Sequence, residues 1–236
     1  MAFNFSPKVV TDGLVLCLDA ANRNSYVSGS TTWTDLSRGG NSMALANGPG
    51  FSSGSGGSIS FDGIDDRSSL ASNINTGQNF TVSAWIYPTL LGVTRRAVVM
   101  NSYKYTPPTI GWYLTTSGFS VSNTFYLSVG ADQAYRVAPA NTLSLNTWAH
   151  IAGVVESGGS NITLYKNGVA LTTYAASLLT TVNITYTDPQ LNVGYRDVGG
   201  TTDPYTGNIA QTLIYNRALS AQEVLQNYNA TKSRYI

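Results

Sequence analysis

Phe80-Thr-Val-Ser-Ala-Trp-Ile-Tyr87 alternates residue by residue, with Phe80, Val82, Ala84 and Ile86 falling on one face. An extended backbone sends successive side chains to opposite sides, so this run predicts a half-buried β-strand. Trp85 and Tyr87 take the other face, which predicts an apolar neighbour there too, either more of the chain or a partner. Further along, Asn161-Ile-Thr-Leu-Tyr-Lys166 and Val169-Ala-Leu-Thr-Thr173 flank Asn167-Gly168, a pair suited to the positive φ angles of a tight hairpin. Strands are also predicted over 14–18, 58–61, 97–100, 112–115, 125–129, 148–155, 190–193 and 209–215. Many short strands between turn residues imply an all-β, antiparallel sandwich.

The 236 residues suit one such domain, read as an arm over 1–12 and a sandwich over 13–236. Asn47 to Gly57, with Gly48-Pro49-Gly50 and Ser52-Ser-Gly-Ser-Gly-Gly57, has linker composition but is flanked by strand-like sequence, so it reads as a long internal loop. One helix is expected, at about 220–229. Ser220-Ala-Gln-Glu223 forms a capping box there, and Val224, Leu225 and Tyr228 form an apolar stripe.

Thirteen Lys and Arg against twelve Asp and Glu leave a net charge of +1, so no broad field is present to gather phosphates. Nucleic acid is not an expected partner. Only 11% of residues are charged, and the surface should be neutral and polar. Cys17 is the only cysteine, which excludes an internal disulfide and a cysteine metal cluster. Met1 to Lys8 lacks a basic stretch followed by a long apolar run, and no membrane insertion is expected.

Six segments together resemble the concanavalin A-like lectin/glucanase superfamily in its laminin-G-like branch. They are Gly13-Leu-Val-Leu-Cys-Leu-Asp-Ala20, Ser60-Phe-Asp-Gly-Ile-Asp-Asp66, Phe80 to Ile86, Trp148-Ala-His-Ile-Ala152, Leu164-Tyr-Lys-Asn-Gly168 and Ile214-Tyr-Asn-Arg-Ala-Leu-Ser220. The resemblance covers most of the chain and implies an antiparallel jelly-roll. The ending from Ile214 to Lys232, and less specifically the Leu18-Asp-Ala-Ala-Asn22 opening, resemble those of bacteriophage virion proteins with this fold. That likeness implies a structural or adhesive role; fold alone does not establish it.

Glucanases of the superfamily set acidic residues at alternating positions on one strand, and no strand here does so. Glu156 and Glu223 are the only glutamates, one ending a strand and one completing the helix cap. No catalytic residue is assigned. His150, the sole histidine, is expected to pack beside a tryptophan with one ring nitrogen hydrogen-bonded. Asp62, Asp65 and Asp66 form the one dense acidic cluster, readable as a Ca²⁺ site or as a turn in which Asp66 pairs with Arg67 or caps nearby amides. The acidic pair that relatives often carry after the Gly-x-Ile segment is replaced by Ala210-Gln211, which weakens the calcium reading. Tyr103, Tyr105, Trp112, Tyr113 and Tyr205 are the candidate contacts, able to stack on a glycan or to sit in a protein interface.

The expectation is therefore a non-enzymatic capsid decoration or cement subunit on the surface of a phage virion. It would contact the major capsid protein or other virion proteins, and other copies of itself if it oligomerises. A glycan- or receptor-binding lectin-like domain of a tail fibre or tail-associated protein is the alternative.

Overall fold

The structure, a computed structural model, describes residues 7–103, 110–118, 120–130, 132–172, 175–177, 182–198 and 200–236. Two large antiparallel sheets are stacked face to face. In the first, the order is Val169–Ala170, Asn161–Lys166, Ala149–Glu156, Phe80–Pro88, Thr206–Tyr215, Ser58–Asp62 and Gly50–Ser52, with Leu14–Asp19 also paired to Thr206–Tyr215. In the second it is Ala175–Ser177, Ala134–Val137, Val121–Val129, Ile110–Gly118, Arg96–Tyr103, Leu191–Val193, Arg67–Leu70, Met43–Ala46 and Thr32–Trp33. The antiparallel jelly-roll reading is correct.

The face of Phe80–Pro88 predicted to be buried carries Phe80, Val82, Ala84 and Ile86 into the space between the sheets. Phe80 stacks there on Trp112 of the opposite sheet, centroids 4.8 Å apart. Gly153 permits the close approach, since a Cβ at that position would lie 2.6 Å from Leu127 Cδ2. The Asn167-Gly168 hairpin forms as read, with φ of 51° and 79°, and pairs Lys166 with Val169. Its second strand is shorter than expected, Val169–Ala170.

The Gly/Ser-rich stretch is not simply a loop. Gly50–Ser52 pairs with Ser58–Asp62 as an edge strand, and Gly54–Gly56 makes a 3-10 turn. Its composition resembles a linker because an edge strand and a tight turn demand little side-chain volume and much backbone freedom.

The helix runs Ala221–Thr231, behind the expected reciprocal cap: Glu223 N–H donates to Ser220 Oγ (3.3 Å) and Ser220 N–H to Glu223 Oε2 (2.9 Å). Its buried stripe is Val224, Asn227 and Thr231, with Tyr228 against Trp85, while Leu225 is 41% exposed. The stripe is thus rotated from the one expected, because the helix satisfies polar groups underneath it. Asn227 Nδ2 donates to Tyr215 Oη (3.0 Å), and Asn227 Oδ1 accepts from Val10 N–H (2.8 Å). The described part of the N-terminal arm consequently lies along this helix, where Gln226 Nε2 also donates to the Lys8 carbonyl (2.8 Å). No described helix is long and apolar enough to cross a membrane.

Candidate functional site

Three of the five candidate aromatic contacts lie in the interior: Trp112, Tyr113 and Tyr205 have no exposed surface. A side chain without surface offers no face to a sugar ring or partner, so their assignment as contacts is corrected. Trp112 points between the sheets, with Nε1–H donating to Thr76 Oγ1 (3.2 Å). Tyr205 packs edge-on against Phe61 (6.4 Å), and burial lifts its phenol well above the usual range. Tyr105 lies outside the described residues. Tyr103 ends the Arg96–Tyr103 strand, and its side chain is likewise outside the described set.

Tyr113 faces away from the inter-sheet core, yet a second cover encloses it. The hairpin of Asp197–Val198 and Thr201–Thr202 folds over this face, and Val198 joins one buried cluster with Met100, Tyr113, Val121, Tyr126 and Val137. Arg196 lies 5.0 Å over the Tyr113 ring and is bound to Asp203 at 2.5 Å, both side chains almost wholly buried. Tyr113 Oη donates to Asp132, which also accepts from Ser128 Oγ (2.6 Å), and Arg95 Nη1 donates to Tyr113 Oη (3.0 Å). Burial raises the Tyr113 phenol far from ionisation. This polar cluster holds the hairpin down; alternation in the sequence could not reveal the cover.

Asp62, Asp65 and Asp66 do converge, with one carboxylate oxygen from each inside a 4.8 Å span. Asp62 Oδ1 accepts from Ile64 N–H (2.8 Å) and Asp66 Oδ2 from Asp62 N–H (2.9 Å), which closes a turn around Gly63. Burial lifts the Asp66 carboxyl above its usual range; the Asp62 amide opposes that rise, and the Asp62 and Asp65 charges add to it. The amide-capping arrangement expected for Asp66 is therefore present. Arg67 turns instead to the Tyr195 ring, 5.5 Å away. Three oxygens this close also suit a hard cation.

His150 packs against a tryptophan, and the partner is Trp85, directly opposite on the neighbouring strand (5.4 Å). Nδ1 has no hydrogen-bond partner, and burial pushes the imidazole down to about 4. The folded-state value therefore lies below the ordinary value of about 6.5, so protonation favours the unfolded chain. The contribution is fully present above about pH 6.5 and is lost as pH falls toward 4, by up to about 3 kcal/mol. Urea unfolding at pH 7 and pH 4.5 is expected to show a steeper loss for the parent than for His150→Leu. Equal losses would remove histidine as the cause.

Among the described residues, every side-chain carboxylate except that of Asp65 accepts a hydrogen bond or ion pair within the fold. Asp12 and Glu223 hold Arg217, Asp19 holds Arg234, and Asp203 holds Arg196. Asp35 accepts from the Cys17, Ser37 and Asn41 amides, and Asp132 from Tyr113 and Ser128. Asp188 binds the Gln190 side chain, Asp197 the Gly200 amide and Glu156 the Asn161 side chain.

An aromatic surface is open on the outer face of the first sheet, and only half of it is legible in the sequence. Registers place Tyr87, Asn208, Ser60 and Gly50 in a row across four strands. Trp148, at the end of the adjacent strand, stands beside Tyr87 with ring centroids 5.3 Å apart and planes at 51°. Both rings are half-buried. Trp148 Nε1–H donates to Ser55 Oγ (3.0 Å) from the 3-10 turn, and Tyr235 backs the indole at 4.9 Å. With Ser52, Gly54, Ser55 and Asn208 these rings line a cleft of about 250 Å³. The outward direction of Tyr87 follows from the alternation of its strand. The same alternation puts Trp148 on the His150 face, and nothing local shows that it meets Tyr87.

Three comparisons bear on this architecture. A family model described as the Concanavalin A-like lectin/glucanases superfamily matches residues 61–225. No curated protein matches the chain. Among solved structures, domain 4 of AbnA, a GH43 extracellular arabinanase from Geobacillus stearothermophilus in complex with arabinotriose, superposes with a TM-score of 0.62 at 19% identity. That match covers 93% of this chain and all of the other. The binding domain of Paraclostridial Mosquitocidal Protein 1 gives 0.64 at 18% identity, over 92% of this chain and 52% of that one. Trypanosoma rangeli sialidase gives 0.61 at 16% identity, over 96% of this chain but only 34% of the sialidase. At such identities the likeness is one of fold.

Proposed function

The chain belongs to the concanavalin A-like lectin/glucanase superfamily, and on that premise we propose that it is a non-enzymatic phage virion protein, a decoration subunit holding capsid surfaces together. The observation that carries the non-enzymatic part is the use of the carboxylates. Glycoside hydrolysis needs a proton donor and a nucleophile or base flanking one bond. Here all acidic side chains but one are committed to caps, turns and ion pairs within the fold. The virion setting is supported by the resemblance of the ending 214–232, which in this fold covers the part of the first sheet's outer face around Trp85, bonded there through Thr231.

A near-neutral, polar exterior suits contacts made by shape and hydrogen bonds, with partner area supplied by neighbouring capsid proteins. Binding of this kind should be little affected by moderate salt. The test is cryo-electron microscopy of intact particles together with add-back of purified protein to particles lacking it. Regular density on the shell and restored heat resistance are expected; density confined to the tail would overturn the capsid role. Calcium enters the same proposal as a stabiliser of the 62–66 turn. Millimolar Ca²⁺ is expected to raise Tm in the parent and not in Asp65→Asn/Asp66→Asn, and an unchanged Tm in the parent removes it.

A further inference from the structure

We propose that residues 228–236, the last turn of the C-terminal helix and the tail after it, are an acid-released cover: a proton taken up by His150 lifts them from the outer face of the first sheet while the sandwich stays closed. This device is independent of the virion reading.

His150 is enclosed largely by this segment. Its ring has Tyr228 at 6.0 Å and Trp85 at 5.4 Å, and Tyr228 and Tyr235 close in turn over Trp85 at 5.7 and 4.4 Å. Only 1% of the residue is exposed. The hairpin beside it serves the backbone and not the ring: the His150 amide donates to Asn167 Oδ1 (3.0 Å), and its carbonyl accepts from the Asn167 amide (2.8 Å). Nδ1 is left without a partner. A neutral imidazole tolerates that setting, whereas an imidazolium has two N–H donors and a charge to hydrate.

The surrounding elements offer that charge no counter-ion. On the helix, Glu223 is bound to Arg217, and on the strand of His150 itself, Glu156 accepts from Asn161. Asp19 is held by Arg234 of the tail. The other titratable groups are phenols or cations: Tyr87 and Tyr165 on the neighbouring strands, Tyr228 and Tyr235 in the cover, Lys232 over the Tyr228 ring, and Lys166, whose Nζ donates to the Thr142 carbonyl. Burial alone accordingly holds the imidazole down.

The shortest way to water is outward, since His150 lies outside the inter-sheet core and the sheets need not part. The start of the helix has its own anchors. Val224 is buried in a cluster with Val10 and Tyr215, and Asn227 bonds both of those residues. Beyond Asn227 the hold consists of the ring contacts to Trp85 and Trp148, the Thr231–Trp85 bond and the Arg234–Asp19 pair. The hinge therefore falls between Asn227 and Tyr228, and terminal turns open at low free energy. Closed, the ring titrates at about 4; uncovered, it returns toward 6.5. Between these values the proton binds the open form more tightly, so opening is expected to rise about tenfold or more from pH 7 to pH 5.

The experiment is amide hydrogen exchange of the full chain at pH 7, 6 and 5, each rate divided by its intrinsic rate at that pH. The parent is compared with His150→Leu, His150→Gln and Asp19→Asn, the last removing the other acid-sensitive hold on the tail. Expected are a tenfold or larger loss of protection over 228–236 in the parent, none over Phe80–Pro88, no pH dependence in either histidine variant and an unchanged dependence in Asp19→Asn. The proposal is overturned by constant protection in the parent, by an equal loss over Phe80–Pro88, by a loss that persists in a folded histidine variant, or by one that Asp19→Asn abolishes. Should neither histidine variant fold, the two segments of the parent and Asp19→Asn still decide. All of this is measured on the free chain, so it and the particle test can fail separately.

Discussion

Trp85→Ala is expected to lower the unfolding free energy by about 4 kcal/mol, within the ~3–5 kcal/mol typical of large aromatic-to-alanine changes in cores. Trp85 has no exposed surface although it lies on the outer face of its sheet. It is one of the main anchors of the C-terminal helix and tail. Tyr235 packs at 4.4 Å, Tyr228 stacks at 5.7 Å, His150 lies at 5.4 Å, and Nε1–H donates to Thr231 Oγ1 at 2.8 Å. Removing the indole opens a cavity under the helix and leaves the Thr231 hydroxyl only its long bond to the Asn227 carbonyl (3.4 Å). Urea denaturation measures the loss, and limited proteolysis locates it, since cleavage beyond residue 219 should accelerate first. Trp85→Phe keeps most of the ring area while losing the N–H bond, and should recover more than half of the stability. A loss below about 1 kcal/mol for the alanine variant would mean that the helix is held by other contacts.

Asp203→Ala is expected to cost about 3–5 kcal/mol, because it strips the carboxylate from a buried guanidinium. Arg196 and Asp203 meet through two contacts, Nε at 2.6 Å and Nη2 at 2.5 Å, beneath the 197–202 hairpin. The expected consequence is a loosened hairpin, visible as faster amide exchange at Val198 and Thr201. Removing both charges should cost far less, since the desolvation penalty then disappears with the attraction. Arg196→Leu/Asp203→Leu is thus predicted to be at least ~2 kcal/mol more stable than Asp203→Ala, read by urea midpoint at constant slope. If the double variant is as unstable as the single one, the pair is needed to shape the hairpin and not only to neutralise itself.

Much of this molecule is legible in local pattern. Alternation from Phe80 to Ile86 reports a backbone property, and the same residues face the core. Asn167-Gly168 and Ser220-x-x-Glu223 encode their turn and cap through φ preference and hydrogen-bond reach over a few residues. The acidic cluster at 62–66 is equally local, and its convergence comes from one turn. Less legible are features that depend on distant segments. The rotated helix stripe depends on Tyr215 and Val10, and the strand inside the Gly/Ser stretch depends on pairing with Ser58–Asp62.

By itself, then, the sequence determined the strands, the period of their faces, the hairpin and the helix start, because each is a matter of short-range sterics and bonding. Which outer face stays open was decided only in three dimensions. Tyr113 and Tyr87 both point away from the inter-sheet core, yet a hairpin some eighty residues further on closes over the first and nothing described closes over the second. A period of two tells which residues share a side; it carries no information about what the rest of the chain lays across that side.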